Sequence, residues 1–116
     1  MVEELTYDEL MEYVPNDYTS FVSDGLSPGQ AISRLVVEYE NQTDDYEEIN
    51  WLFTVISAEI CVRNNCIREH IVKHALEIIE DKRLISIWKK EKINFYELNI
   101  REQYLENVRL VIKDKI

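Results

Sequence analysis

The sequence predicts an all-α protein, a compact bundle of five to six antiparallel helices around a central apolar helix at about residues 44–63. Apolar residues recur at intervals of three and four along most of the chain, which gathers them on one side of a helix. Helix-start signals recur between these stretches. No segment shows the alternation of a half-buried strand, and two Gly with two Pro are too few to punctuate a β-sandwich. With 116 residues, the chain is expected to form one domain, 1–116, around one core.

Thr6-Tyr7-Asp8-Glu9 has capping-box spacing, in which Thr6 and Glu9 each satisfy the other's backbone amide, so the first helix starts there. Tyr7, Leu10, Met11, Val14, Tyr18, Phe21 and Val22 keep helical phase across Pro15, predicting one helix kinked at Pro15 and running to about Asp24, with Gly25 as a left-handed stop. Ser27-Pro28-Gly29-Gln30 repeats the start signal. The second helix buries Ala31, Ile32, Leu35, Val36 and Tyr39, and Asn41-Gln42-Thr43 reads as a turn.

The third helix, about Asp44 to Arg63, carries two apolar stripes, Ile49, Leu52, Phe53, Ile56 and Ile60 beside Trp51, Val55, Ala58 and Val62. Burial on most of its circumference makes it central. Glu59 lies among these residues and needs a partner, for which Arg63 is one turn on. Asn64-Asn65 offers a left-handed exit. A fourth helix is expected from about Cys66 to Lys82, with Ile67, Ile71, Ala75 and Ile78 inward and Glu69, Lys73, Glu77 and Glu80 outward. A short one from Leu84 to Lys92 presents Leu84, Ile87 and Trp88. Asn94 and Asn99 are alternative starts for the last, whose stripe is Ile100, Tyr104, Val108, Val111 and Ile112.

Charge is unevenly placed. Residues 1–60 hold 14 acids against Arg34 alone, and residues 61–116 hold 9 acids against 12 bases, which partitions the overall −10 into −13 and +3. A nucleic-acid ligand is disfavoured, because phosphates approaching the acidic half are repelled. A basic protein is the expected partner. Apolar runs such as Leu52-Phe53 and Ile78-Ile79 are far shorter than the roughly 20 residues of a membrane span. The amino-terminal Met-Val-Glu-Glu-Leu has no secretory pattern, so the expected location is the cytoplasm, away from membranes.

Catalytic signals are sparse. His70 and His74 are four apart with Glu77 following, a conceivable zinc face, but Ile71 stands where the metallopeptidase helix motif has its Glu base, and His74 is in phase with Ile67, Ile71 and Ile78, as a core or boundary histidine would be. Cys61 and Cys66 lack the two-residue spacing of redox or zinc pairs and read as small buried apolar groups. No phosphate-binding glycine loop or nucleophile elbow is present. Neither a cofactor, a metal nor enzymatic activity is expected.

The densest functional signal is the junction Val37–Trp51, where Glu38, Glu40, Asp44, Asp45, Glu47 and Glu48 occur without a base. At the start of the third helix, Asp44, Asp45, Glu47 and Glu48 are favoured by the helix dipole, by roughly 0.3–1 kcal/mol each. Glu38 and Glu40 sit near the opposite, unfavourable end of the second helix and are the stronger candidates for contact with a basic partner. A solubilising surface explains the same acids. Tyr46 and Trp51 would be aromatic anchors if exposed, although Tyr46 is in phase with Ile49 and Phe53, and Trp51 with Val55, which favours the core for both.

Tyr7 with Glu9-Leu10, Tyr18, Phe21, Gly25, Ser27, Ala31-Ile32, Leu35 and Glu38-Tyr39-Glu40 resemble the helical immunity family numbered three of bacterial polymorphic-toxin systems. The resemblance is clear over about the first third of the chain. It implies a protein that binds a cognate toxin domain, often a nuclease, and protects the producing cell by occlusion. The competing class is an acidic adaptor or nucleic-acid mimic that binds a basic host protein.

Overall fold

The computed structural model describes residues 5–43 and 46–115. They form six helices and no strand: α1 (Tyr7–Ser23), α2 (Pro28–Thr43), α3 (Glu47–Arg63), α4 (Glu69–Glu80), α5 (Arg83–Lys90) and α6 (Phe95–Lys115). The all-α expectation is met. Helix α3 packs against each of the other five, and ten of its seventeen residues are buried, so its two apolar stripes are both used. Buried side chains from all six helices form one cluster, in which Leu10, Ile32, Leu52, Ile78, Trp88 and Ile112 are almost wholly enclosed.

Local sequence sets the helix ends. Both capping boxes form: Glu9 N donates to Thr6 Oγ1 at 3.1 Å and Thr6 N to Glu9 Oε1 at 3.0 Å, while Gln30 N donates to Ser27 Oγ at 3.2 Å and Ser27 N to Gln30 Oε1 at 2.9 Å. Of the two candidate caps for the last helix, Asn94 serves, its Oδ1 accepting from Glu97 N at 2.8 Å, and Asn99 lies inside α6. Left-handed residues close α1 at Gly25 (φ 103°) and α3 at Asn65 (φ 55°), as the sequence indicates. Pro15 lies within α1.

Several expectations change. Asn41-Gln42-Thr43 is the last turn of α2 and not a link, because the polar side chains serve the helix: Thr43 Oγ1 donates to Tyr39 O at 2.9 Å and Gln42 Nε2 to Glu38 O at 3.2 Å. Position 44, the expected start of α3, lies outside the described residues, and Tyr46 occupies the N-cap. Helix α4 begins three residues later than expected. Arg68 is extended there, and its Nη2 donates to Gly29 O at 2.8 Å and to Ser33 Oγ at 2.9 Å, tying the start of α4 to α2. Outside α4, Ile67 is exposed. Val22, Val36 and Ile100 are exposed as well, while Leu105, absent from the expected stripe, is buried.

Candidate functional site

The acidic junction divides by orientation. Along α2, Glu38 and Glu40 are about 200° apart at 100° per residue, with buried Tyr39 between them, so they do not share a face. Glu38 is exposed and bound by Arg34, whose Nε lies 3.2 Å from Glu38 Oε1. This i, i+4 pair was legible in the sequence and gives Glu38 a local partner. Glu40 is exposed and makes no ion pair among the described residues. Asp44 and Asp45 lie outside the described residues. Glu47 is exposed at the start of α3.

Glu48 has an internal role. Its Oε2 accepts from Trp88 Nε1 at 3.2 Å, and Trp88 is 0% exposed. Around that indole, Tyr7 stands edge-on with ring centroids 5.7 Å apart, and the Arg101 guanidinium lies 4.1 Å from the Tyr7 centroid and 5.1 Å from that of Trp88. Arg101 Nε also donates to Glu97 Oε1 at 3.2 Å. Burial pushes the Tyr7 phenol up to about 12, against the opposing pull of Arg101. Glu48 is therefore part of the junction joining α1, α3, α5 and α6.

Tyr46 and Trp51 are half-buried and pack against the core, and the Arg83 guanidinium lies 5.6 Å from the Trp51 ring centroid. Other acids also have internal partners. Tyr39 OH donates to Asp17 Oδ2 at 2.6 Å, joining α2 to α1, and burial together with this bond raises the Tyr39 phenol. Glu59 accepts from Arg63 Nε at 3.0 Å, as expected, and additionally from Tyr104 OH at 3.0 Å, where burial raises the phenol.

Glu40 stands at a cleft between α2, α3 and α4 with a volume of about 280 Å³. Val36 and Glu40 line it from α2, Phe53 and Ser57 from α3, and His70 and His74 from α4. Both histidines are exposed and line the cleft, so of the two places expected for His74, core or boundary, the core is excluded, although Ile78 one turn on is fully buried. No group of three His, Cys, Asp or Glu residues suited to a metal occurs among the described residues. Cys61 is buried and Cys66 half-buried, both free, and burial pushes the Cys61 thiol up to about 11.

Sequence reasoning missed the most exposed aromatics. Phe95 and Tyr96, 83% and 82% exposed, occupy the first turn of α6. The missed signal was the choice of cap. Starting the helix at Asn94 puts both rings into its opening turn, whereas a start at Asn99 leaves them in a connection.

No helix of the described residues is long and apolar enough to cross a membrane. The described residues thus form a helical bundle with outward acids beside a small cleft. The family described as Immunity protein Imm3 matches residues 3–109, and the chain belongs to that family. This bears out the resemblance and extends it from the first third to nearly the whole chain. No curated protein and no solved structure matches the chain.

Proposed function

We propose that this immunity protein acts in the cytoplasm by binding and occluding the basic active domain of a nuclease-type toxin, without catalysing a reaction. The observation that carries this reading is the charge asymmetry, −13 in residues 1–60 against +3 in the remainder, on a member of an immunity family. Exposed carboxylates at Glu38, Glu40 and Glu47, with the neighbouring Asp44 and Asp45, steer a cationic surface into place and compete with the phosphates that such a surface otherwise attracts. Glu48, Tyr46 and Trp51 support the surrounding helices from within more than they extend the acidic surface.

The test is charge reversal. Replacing Glu38, Glu40, Asp44 and Asp45 by Lys should abolish protection of cells expressing the cognate toxin domain, while helical circular dichroism is retained. Affinity and salt dependence equal to those of the unaltered protein would overturn the assignment of the interface.

A further inference from the structure

We propose that the α2–α3–α4 cleft receives one arginine side chain of the bound toxin, with Glu40 pairing its guanidinium at the rim and hydroxyl oxygens accepting hydrogen bonds along the wall. The inference rests on the immunity reading and names the group that the partner must present. Its starting point is Ser57. This side chain is 2% exposed and lines the cleft, yet its Oγ has no hydrogen-bond partner among the described residues. Thr19, Thr43 and Thr54 each donate to the carbonyl four residues earlier in their helices, at 3.0, 2.9 and 2.9 Å. Ser57 does not. A buried hydroxyl left unbonded is unfavourable, and a guest that hydrogen-bonds to it relieves that cost.

The rest of the lining selects the guest. Thr43 and Thr54 also border the cleft, and each has committed its only hydroxyl proton to a backbone carbonyl, so only lone pairs remain to offer. Glu40 adds a carboxylate, which accepts only. Asn50, His70 and His74 complete the wall with groups that can donate as well as accept, so the preference for a cationic guest comes from the Glu40 carboxylate. Guanidinium and ammonium both qualify, and two features favour guanidinium: five donors in a fixed fork match several separated acceptors, and its plane stacks on rings such as Phe53, His70 and His74. A volume of about 280 Å³ falls just below the ~300–1,000 Å³ of small-molecule sites and suits a single long side chain. Charge agrees, since the cleft opens beside the acidic end of α2 on a chain of net −10.

Calorimetry and association kinetics against the cognate toxin domain provide the test. Val36 lines the cleft at 38% exposure, and its neighbour Val37, 67% exposed, does not. Val36→Trp should fill the mouth and weaken binding about 100-fold, while Val37→Trp stays within about threefold. Glu40→Gln should weaken binding about tenfold, mainly through faster dissociation. Ser57→Ala should leave the free protein as stable or more stable, because it deletes an orphaned hydroxyl, and yet weaken the complex. In double-mutant cycles, one toxin arginine should couple with Glu40→Gln.

Binding unaffected by both Val36→Trp and Glu40→Gln overturns the proposal, and so does a loss confined to Val36→Trp, which would mean a neutral guest. Both substituted positions are exposed, and Glu40→Gln decides the matter alone if the tryptophan disturbs the fold. Failure of the unaltered protein to bind the toxin domain would instead remove the immunity reading, and this proposal with it.

Discussion

Glu48 separates an interface acid from a structural one. The structure places its carboxylate on the indole N–H of a fully buried Trp88, at 3.2 Å, from the first turn of α3. Glu48→Ala leaves that donor without this acceptor, costing about 1–3 kcal/mol, and removes a negative charge from a helix start, costing a further ~0.3–1 kcal/mol. A total of about 1.3–4 kcal/mol, at about 3–6 °C per kcal/mol in a chain of this length, lowers Tm by roughly 4–24 °C. Thermal unfolding followed by circular dichroism reads this directly. Glu48→Gln retains an acceptor oxygen and should lose less than about 1 kcal/mol, while Glu47→Ala, exposed in the same turn, should lose only the dipole contribution of ~0.3–1 kcal/mol. At a temperature where Glu48→Ala is fully folded, its affinity for the toxin domain should lie within about threefold of the unaltered protein's. An unchanged Tm combined with a tenfold or greater loss of affinity would refute the assignment and return Glu48 to the interface.

Two further outcomes follow from the backbone and from buried acids. Gly25 has φ 103° with nothing within 4 Å of an added Cβ, so Gly25→Ala should cost about 1–2 kcal/mol from backbone strain alone, read as a lower urea midpoint at constant slope. The fold holds the Cys61 thiol neutral, raising it from 9.0 to about 11, so its contribution is fully present below pH 9 and is lost as pH rises towards 11. The loss amounts to roughly 2–3 kcal/mol. Tyr7, raised from 10.0 to about 12, extends the decline to higher pH. Unfolding free energies measured against pH should fall from about pH 9, and Cys61→Ala should flatten the curve between pH 9 and 10; a variant curve parallel to the original would exclude the thiol as the cause.

Helix starts were legible wherever a side chain makes the signal locally. Thr6 with Glu9 and Ser27 with Gln30 form their reciprocal bonds within four residues, and no distant group is needed. The start of α4 was not legible, because Arg68 reaches across to Gly29 and Ser33, some forty positions earlier in the chain. Composition misled at Asn41-Gln42-Thr43, whose polar side chains bond to the carbonyls of their own helix. On the surface, the sequence displays the acidic stretch but does not assign each carboxylate its surroundings. Glu38 turns to Arg34, Glu40 to the cleft and Glu48 to the Trp88 indole.

Periodicity, capping and charge, all properties of neighbouring residues, determined the helical class, the central place of α3 and the acidity of the amino-terminal half. Tertiary structure decided that Glu48 and Asp17 are engaged internally, because their partners come from other helices, whereas the partner of Glu38 lies one turn away in its own helix. Trp88 claims Glu48 from forty residues away, and Tyr39 claims Asp17 from twenty-two. It also decided that Ser57 borders a cleft with Glu40, His70 and His74, a juxtaposition made where α2 and α4 both lie against α3.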